Sequence, residues 1–230
     1  MPERNRVLVI AAHPDDEVLS CGATMARLRH EGHEVRIAIL AEGITSRSQK
    51  REQADVRQLS QLHEHAHRAA AVLGVEHVSL HGLPDNRLDT VALLDVAKIV
   101  EQLISEFQPG RVYTHHPGDL NMDHAVVSRA TMIATRPMQT CPVKELLQFE
   151  VPSSTEWAFQ QFEPAFRPNV FVDVSGTLDL KLKAMACYES ESRVFPHPRS
   201  PEALRAIAQR WGSVAGVGVA EAFQLVRAVL

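Results

Sequence analysis

Short apolar runs alternate with longer, more polar segments through the first half of the chain. The apolar runs have the length and composition of β-strands, and the segments between them are long enough for helices. The predicted strands are residues 7–12, 35–41, 75–80 and 111–114. The predicted helices are residues 17–30, 49–73, 90–107 and 122–135. This alternation favours a three-layer α/β/α fold with a mostly parallel sheet.

The second half of the chain is interrupted by proline. Eight prolines follow residue 136, so strands and loops are predicted there rather than long helices. Residues 177–191 and 201–211 are the exceptions and are predicted to be helical, with Pro201 as a first helical residue and Ser200 as its cap. Because we find no repeat and no linker, we predict one domain spanning residues 1–230.

Composition narrows the possible partners. A net charge of −4 gives no basic face for nucleic acid, and no stretch approaches the roughly 20 apolar residues that a membrane span needs. The three cysteines are far apart and fit neither a metal finger nor a disulfide framework, which favours a cytoplasmic location. We therefore expect a small-molecule partner, while a homo-oligomer is compatible with the sequence.

An acidic cluster at residues 13–17 follows the first predicted strand. Three successive carboxylates beside a histidine repel one another unless a cation is present, and zinc binds both imidazole and carboxylate groups. Pro14 stiffens the turn, so His13 and Asp16 can converge on a metal while Asp15 serves as a base for water. The alternative is an acidic helix start with a surface histidine, which leaves its place after an apolar strand unexplained.

A second polar cluster, residues 114–124, follows the fourth predicted strand. The carboxyl ends of parallel strands share one edge of the sheet, so the two clusters should meet. A catalytic zinc commonly has three protein ligands and one open position, and His124 can supply the third ligand. Asp119 and Asp123 can orient a neighbouring histidine through its other ring nitrogen.

His115 and His116 are candidates for stabilising an oxyanion or protonating a leaving amine. The sequence does not distinguish between these two histidines. The alternative for the whole cluster is a polar turn in which Asn121 or Asp119 caps the following helix.

Residues 11–17, followed at a distance by Asp123 and His124, resemble the motifs of the PIG-L/LmbE-like family of metal-dependent N-deacetylases. The resemblance extends from residue 6 to about residue 190 and implies a Rossmann-like sheet. It implies Asp15 as the general base and a zinc ion, or another divalent metal, as the cofactor. The metal ligands that it implies are His13, Asp16 and His124.

The second motif departs from the compact His-Pro-Asp-His form found in some members of that family. Met122 precedes Asp123 here, and the nearest upstream histidine is His116, eight residues before His124. By resemblance, His116 corresponds to the oxyanion-stabilising histidine and Asp123 to the residue that braces it.

Three further residues follow predicted strands and are candidates for substrate binding. Arg47 follows the second strand, and Asp85 and Arg87, which follow the third, loosely resemble the substrate-binding segment of the family. The simpler interpretation of Arg47 is a surface loop. His197 and Arg199 could lie in a rigid proline-bounded loop that closes over the site, although an ordinary surface loop is the simpler interpretation there too.

The implied reaction is hydrolysis of the acetamido group of an N-acetylated amino sugar or its conjugate. The alternatives are hydrolysis of another small N-acyl amide and metal or sugar binding without turnover. Trp157 and Trp211 could stack on a sugar face, but core packing is the default expectation for both.

Overall fold

One seven-stranded sheet organises the part of the chain that the computed structural model describes, residues 6–45 and 56–229. The strands are β1 Arg6–Ala11, β2 Glu34–Ala41, β3 His77–Leu83, β4 Arg111–His115, β5 Glu145–Phe149, β6 Val170–Asp173 and β7 Ala220–Ala228. The helices are α1 Asp16–His30, α2 Val56–Val72, α3 Leu93–Phe107, α4 Met122–Ala134, α5 Leu178–Ala186 and α6 Pro201–Ala215.

The sheet order is β3-β2-β1-β4-β5-β7-β6. Strands β1 to β5 are parallel to one another, whereas β7 runs antiparallel to both β5 and β6. The predicted three-layer α/β/α fold with a mostly parallel sheet is therefore confirmed.

Strand β1 explains why its sequence is continuously apolar. Val7 and Val9 face a core shared with α1, α2 and α5, whereas Leu8 and Ile10 face a second core shared with α3 and α4. All four side chains are buried, as expected for a central strand covered on both faces.

Several boundaries differ from those predicted. The third strand starts at His77 rather than residue 75, because the Val75 N–H donates to the Ala70 carbonyl of α2 at 2.9 Å and its side chain is buried in the core. A short 3-10 helix at Leu88–Thr90 delays the start of α3 to Leu93. The predicted start of α2 lies outside the described residues. The cap of α6 is confirmed, because Ser200 Oγ accepts the Ala203 N–H at 3.1 Å.

Helix α1 is interrupted at Cys21, whose φ of −134° and ψ of 24° are not helical. The backbone N–H groups of Ala23 and Thr24 donate to the Glu221 carboxylate at 3.2 and 2.7 Å. Glu221 also pairs with Lys181 Nζ at 2.6 Å, and both side chains are buried. This ion pair therefore joins α1, α5 and β7 at the interruption in α1.

We expect Lys181→Met to lower the free energy of unfolding by about 3–5 kcal/mol, because it leaves the Glu221 charge buried without its partner. Urea unfolding followed by circular dichroism measures this change. Lys183→Met, at an exposed position on the same helix, is the matched control and should change stability by less than about 0.5 kcal/mol. Adding Glu221→Gln to Lys181→Met should restore part of the loss. Equal effects of the two lysine substitutions would contradict a contribution from the ion pair.

The order of the strands determines where the two polar clusters meet. The strand that follows β1 along the chain, β2, lies on one side of it, whereas β5, which follows β4, lies on the other side of the sheet. The strand order therefore changes direction between the adjacent strands β1 and β4. Ligands in open α/β sheets bind at such a point, outside the carboxyl ends of the strands. Separately, none of the helices in the described ranges has the length and apolar character needed to cross a membrane.

Candidate active site

His13, Asp16 and His124 converge at this end of the sheet. Asp16 Oδ2 lies 3.3 Å from His13 Nδ1 and 3.2 Å from His124 Nε2. Two ligands on a tetrahedral ion with bonds of 2.0–2.1 Å are about 3.3 Å apart, so both separations suit zinc. The three side chains are grouped closely enough to hold one metal ion.

His124 provides a second test of whether a metal fits. Its ring is buried, yet within the described structure neither nitrogen makes a well-directed hydrogen bond, although carboxylate oxygens lie 3.1 and 3.2 Å away. A buried polar atom without a partner is costly. Because a metal ion would satisfy Nε2, and because histidine and aspartate are usual zinc ligands, the residues present fit zinc.

The local electrostatics favour a positive charge at the same place. Burial lowers the pKa of His124, but Asp16 and Asp119 raise it more, to about 9. Burial also lowers the pKa of His13, but hydrogen bonds to Asp123 and Asp16 and the charge of Asp85 raise it well above its ordinary value. The carboxylates therefore attract either protons or a metal cation.

The predicted ligand histidines are oriented by carboxylates on their other ring nitrogens. Asp123 Oδ2 lies 2.9 Å from His13 Nε2, and Asp123 Oδ1 accepts the Leu88 N–H at 2.9 Å. A proton on His13 Nε2 leaves Nδ1 unprotonated and able to bind metal. Asp119 Oδ1 lies 3.1 Å from His124 Nδ1, a close contact without the direction of a hydrogen bond. Such carboxylate–histidine pairs commonly orient metal ligands.

Asp119 is itself held by the segment after β5. Thr155 Oγ1 donates to Asp119 Oδ2 at 2.5 Å, the Asn121 N–H donates to Oδ1 at 2.8 Å, and Ser154 Oγ donates to the same Oδ1. Asn121 Oδ1 in turn accepts the Asp123 N–H at 2.9 Å and caps α4.

A second group of potential ligands shares His13. Asp85 Oδ1 lies 3.4 Å from His13 Nε2, close to Asp123, and the three side chains are also near enough together for a metal ion. The two groups use opposite nitrogens of His13. They can therefore be distinguished by removing Asp16 or Asp85 separately.

Asp15 is buried beside the potential ligands in a strained conformation. Its φ of 107° lies in the left-handed region, which costs energy for a residue with a side chain. Glu17 Oε2 accepts the Asp15 N–H at 3.1 Å, and Glu17 Oε1 accepts the Tyr188 hydroxyl at 2.6 Å. This buried pair holds the strained turn in place and was not predicted from the sequence.

Arg199 contacts the Asp15 carboxylate directly. Its Nη1 donates to Asp15 Oδ2 at 2.6 Å and to Glu191 Oε2 at 3.3 Å, and its Nε donates to Ser153 Oγ at 2.8 Å. Burial raises the pKa of Asp15, and the charge of Arg199 opposes this shift without cancelling it. The proline-bounded loop therefore reaches the site through Arg199, contrary to its simpler interpretation as a surface loop.

His115 and His116 do not line the cavity above these residues. His115 Nε2 accepts the Ala12 N–H at 2.8 Å, and its ring stacks on that of His124 at a centroid distance of 4.0 Å. Burial, followed by the proximity of His124, lowers the pKa of His115, which keeps the ring neutral. His116 Nε2 donates to the Pro164 carbonyl at 2.7 Å.

The cavity has a volume of about 490 Å³. Asp85 lines it, together with Asn86 and Asn121. Asn121 Nδ2 donates to Asn86 Oδ1, and Asn86 Nδ2 donates to Asp85 Oδ1, each at 2.9 Å. Of the other predicted substrate residues, Arg87 is exposed and does not line the cavity, and Arg47 lies outside the described residues.

Comparison with known proteins gives a family match and similar relatives. The family model for PIG-L, described as GlcNAc-PI de-N-acetylase, matches residues 8–135. An uncharacterised deacetylase, YaiS of Escherichia coli, is 30% identical over 195 residues, which cover 82% of this chain and 92% of YaiS. The diacetylchitobiose deacetylase of Thermococcus kodakarensis is 26% identical over 226 residues, covering 96% and 83% of the two chains.

A solved structure supports the same fold. The conserved protein TT1542 from Thermus thermophilus superposes with a TM-score of 0.76 at 25% identity. The superposition covers 98% of this chain and 96% of that protein.

Proposed function

Since the chain belongs to the PIG-L family of de-N-acetylases, we propose that it is a zinc-dependent deacetylase acting on an N-acetylated amino sugar or its conjugate. The observation that carries this proposal is the position of Asp15, a buried carboxylate held in a strained turn between two potential metal ligands. A protein that only stored metal would not need such a carboxylate beside its ligands.

His13, Asp16 and His124 would hold the zinc ion, and another divalent metal can occupy the same donor set. When bound, zinc polarises the amide carbonyl of a substrate and lowers the pKa of water. Asp123 and Asp119 hold the two histidines in their ligand orientations, as their contacts with His13 and His124 indicate.

Asp15 would act as the general base. Its Oδ2 is engaged by Arg199, which leaves Oδ1 to take a proton from the attacking water. The same carboxyl group can then deliver this proton to the nitrogen of the leaving amine. Arg199 and the Glu17–Tyr188 pair keep the carboxylate in place during both steps.

His116 has no catalytic role in the proposed mechanism. Its Nε2 is held on the Pro164 carbonyl and its side chain does not line the cavity, so it has no direct route to a bound amide. Asp123, which the resemblance pairs with an oxyanion-stabilising histidine, is bonded to His13 instead, and we assign it the role of orienting that ligand.

The proposed substrate class rests on the relatives and on the polar wall of the cavity. One relative is named a diacetylchitobiose deacetylase, and another a probable N-acetyl-α-D-glucosaminyl L-malate deacetylase. Asp85 is positioned to accept a hydrogen bond from a sugar hydroxyl, and it is held by the Asn86 amide, which in turn accepts from Asn121. A cavity of about 490 Å³ has room for more than an acetamido group.

Measurement of acetate release from N-acetyl sugars, their conjugates and simple N-acyl amides tests this proposal. Release from sugar substrates would support it, and release only from simple amides would favour the alternative amide hydrolase. If metal-loaded protein releases no acetate from any of them but binds metal and sugar, the chain is a binding protein.

Chelation is expected to abolish acetate release. After treatment with dipicolinate and removal of the chelator, activity should fall to background, because the proposed mechanism has no other group to polarise the carbonyl. One equivalent of zinc should restore activity, whereas magnesium, which prefers an octahedral oxygen shell, should not. Full activity in protein shown by elemental analysis to be metal-free would contradict the metal requirement.

A further inference from the structure

Trp157 lies at the rim of the cavity and is 40% exposed. It belongs to a short 3-10 helix, Glu156–Ala158, in which Ala158 is buried and anchors the segment. A large aromatic side chain exposed beside a polar cavity is a usual feature of a ligand-binding surface. The expectation that Trp157 packs in the core is therefore wrong.

The segment that carries Trp157 is bonded to both halves of the proposed catalytic centre. Ser153 Oγ accepts a hydrogen bond from Arg199, which holds Asp15. Thr155 Oγ1 donates to Asp119, which faces the potential ligand His124. The position of the indole is thereby fixed relative to both the base and the metal ligands, and a substrate contact with it would align the scissile amide.

The loop that supplies Arg199 also restrains the indole ring. The His197 ring meets it at nearly right angles, with centroids 5.4 Å apart and an interplanar angle of 79°. Such an edge-to-face contact limits rotation of the side chain. A ring that is already restrained loses less conformational freedom when a ligand stacks on it.

The charges around the cavity indicate which chemical group of a ligand it could bind beside Trp157. The described residues that line it include four carboxylates and one arginine, and that arginine is bonded to Asp15 and Glu191. Phosphate groups are usually held by arginine or lysine. Leu120 and Met122, which also line the cavity, add exposed apolar surface near its edge. This combination suits an uncharged ring with apolar faces and polar edges.

We propose that Trp157 is a stacking platform for an uncharged sugar ring, and that it makes the enzyme select acetamido groups carried on such a ring. A pyranose has C–H groups on its faces and hydroxyls around its edge, so it can pack on the indole while its hydroxyls reach Asp85. This inference rests on the proposed deacetylase function and adds a residue that determines specificity for the same reaction.

The activity test compares a ring-bearing substrate with a ring-free one. In Trp157→Ala, kcat/KM for N,N′-diacetylchitobiose should fall by about 10- to 100-fold, the range for loss of a well-packed apolar contact. With N-acetylethanolamine, which has no ring, kcat/KM should stay unchanged, and Trp157→Phe should retain most activity on the sugar. Phe159→Ala is the matched control, because Phe159 is exposed two residues away but does not line the cavity.

A binding test keeps the two proposals separate. The chain has two tryptophans, so Trp211→Phe leaves Trp157 as the sole indole reporter. In zinc-loaded Asp15→Asn/Trp211→Phe protein, diacetylchitobiose should change the indole fluorescence saturably, and N-acetylethanolamine should not. Saturable binding without acetate release from wild-type protein would overturn the deacetylase function but not the platform.

Two results would overturn the platform. One is an absence of any saturable fluorescence change with the disaccharide. The other is a loss of activity in Trp157→Ala that is equal for both substrates, because damage to the site as a whole would then explain it. A saturable change with N-acetylglucosamine 1-phosphate at much lower concentration than with the uncharged sugars would overturn the requirement for an uncharged ring.

Discussion

Asp15→Asn is expected to lower kcat/KM for acetate release by about 10²–10⁴-fold, the usual contribution of a general base. Asparagine has nearly the same size but cannot take a proton from water. It also tolerates the left-handed region better than most residues, so the φ of 107° should not destabilise the variant. The zinc content should stay the same, because Asp15 is not among the three grouped ligands. Steady-state kinetics and elemental analysis of the same preparation measure both quantities.

The matched control is Asp89→Asn, which changes an exposed carboxylate that does not line the cavity. It should leave activity and metal content unchanged. If Asp15→Asn kept wild-type activity, another group would have to act as the base. If it instead lost its metal, the carboxylate would be a ligand, and the grouping of His13, Asp16 and His124 would need revision.

The first half of the fold followed from local patterns because its two central strands, β1 and β4, are buried at every position after the first. Strand β1 is apolar at every position except its exposed first residue, Arg6. Because β1 is parallel to its neighbours, the polar turn that follows it lies at the carboxyl end of the sheet. The meeting of residues 13–17 with His124 therefore required only the inference that β1 and β4 end on the same side.

The rest of the site depends on long-range contacts that local patterns do not encode. Ser154 and Thr155, which hold Asp119, follow the carboxyl end of β5, but the proline-rich sequence there does not predict the position of that strand. Arg199 lies 184 residues from Asp15, so the pairing of the two emerges only from the packing of the loop before α6. Likewise, Glu17 meets Tyr188 only because α5 packs against α1.

His115 and His116 lie on different sides of the sheet. Two adjacent residues at the end of a strand point to opposite faces of the sheet. His115 stacks beneath His124, and His116 turns towards the Pro164 carbonyl and Phe166. Spacing along the chain cannot show which of the two faces the cavity, and in this structure neither residue lines it.

Asp16→Ala is expected to reduce zinc affinity by more than about 100-fold, because loss of a residue that merely orients a ligand already costs about 10- to 100-fold. Asp16 Oδ2 lies within 3.3 Å of nitrogens on both His13 and His124, so its removal takes away the proposed ligand that lies between the two histidines. Acetate release should fall with the metal content. Competition with a chromophoric chelator measures the affinity.

Comparison with two further variants decides which group of side chains holds the ion. Asp123→Asn should cost about 10- to 100-fold in affinity, because Asp123 orients His13 and is not among the three residues proposed to hold the ion. Asp85→Ala should cost less, because Asp85 belongs to the alternative group that uses the opposite nitrogen of His13. If Asp85→Ala instead abolished zinc binding and Asp16→Ala preserved it, the ion would lie between His13, Asp85 and Asp123. In that position it would be coordinated from the side of His13 facing away from Asp16, and Asp15 would lose its proposed role as the base.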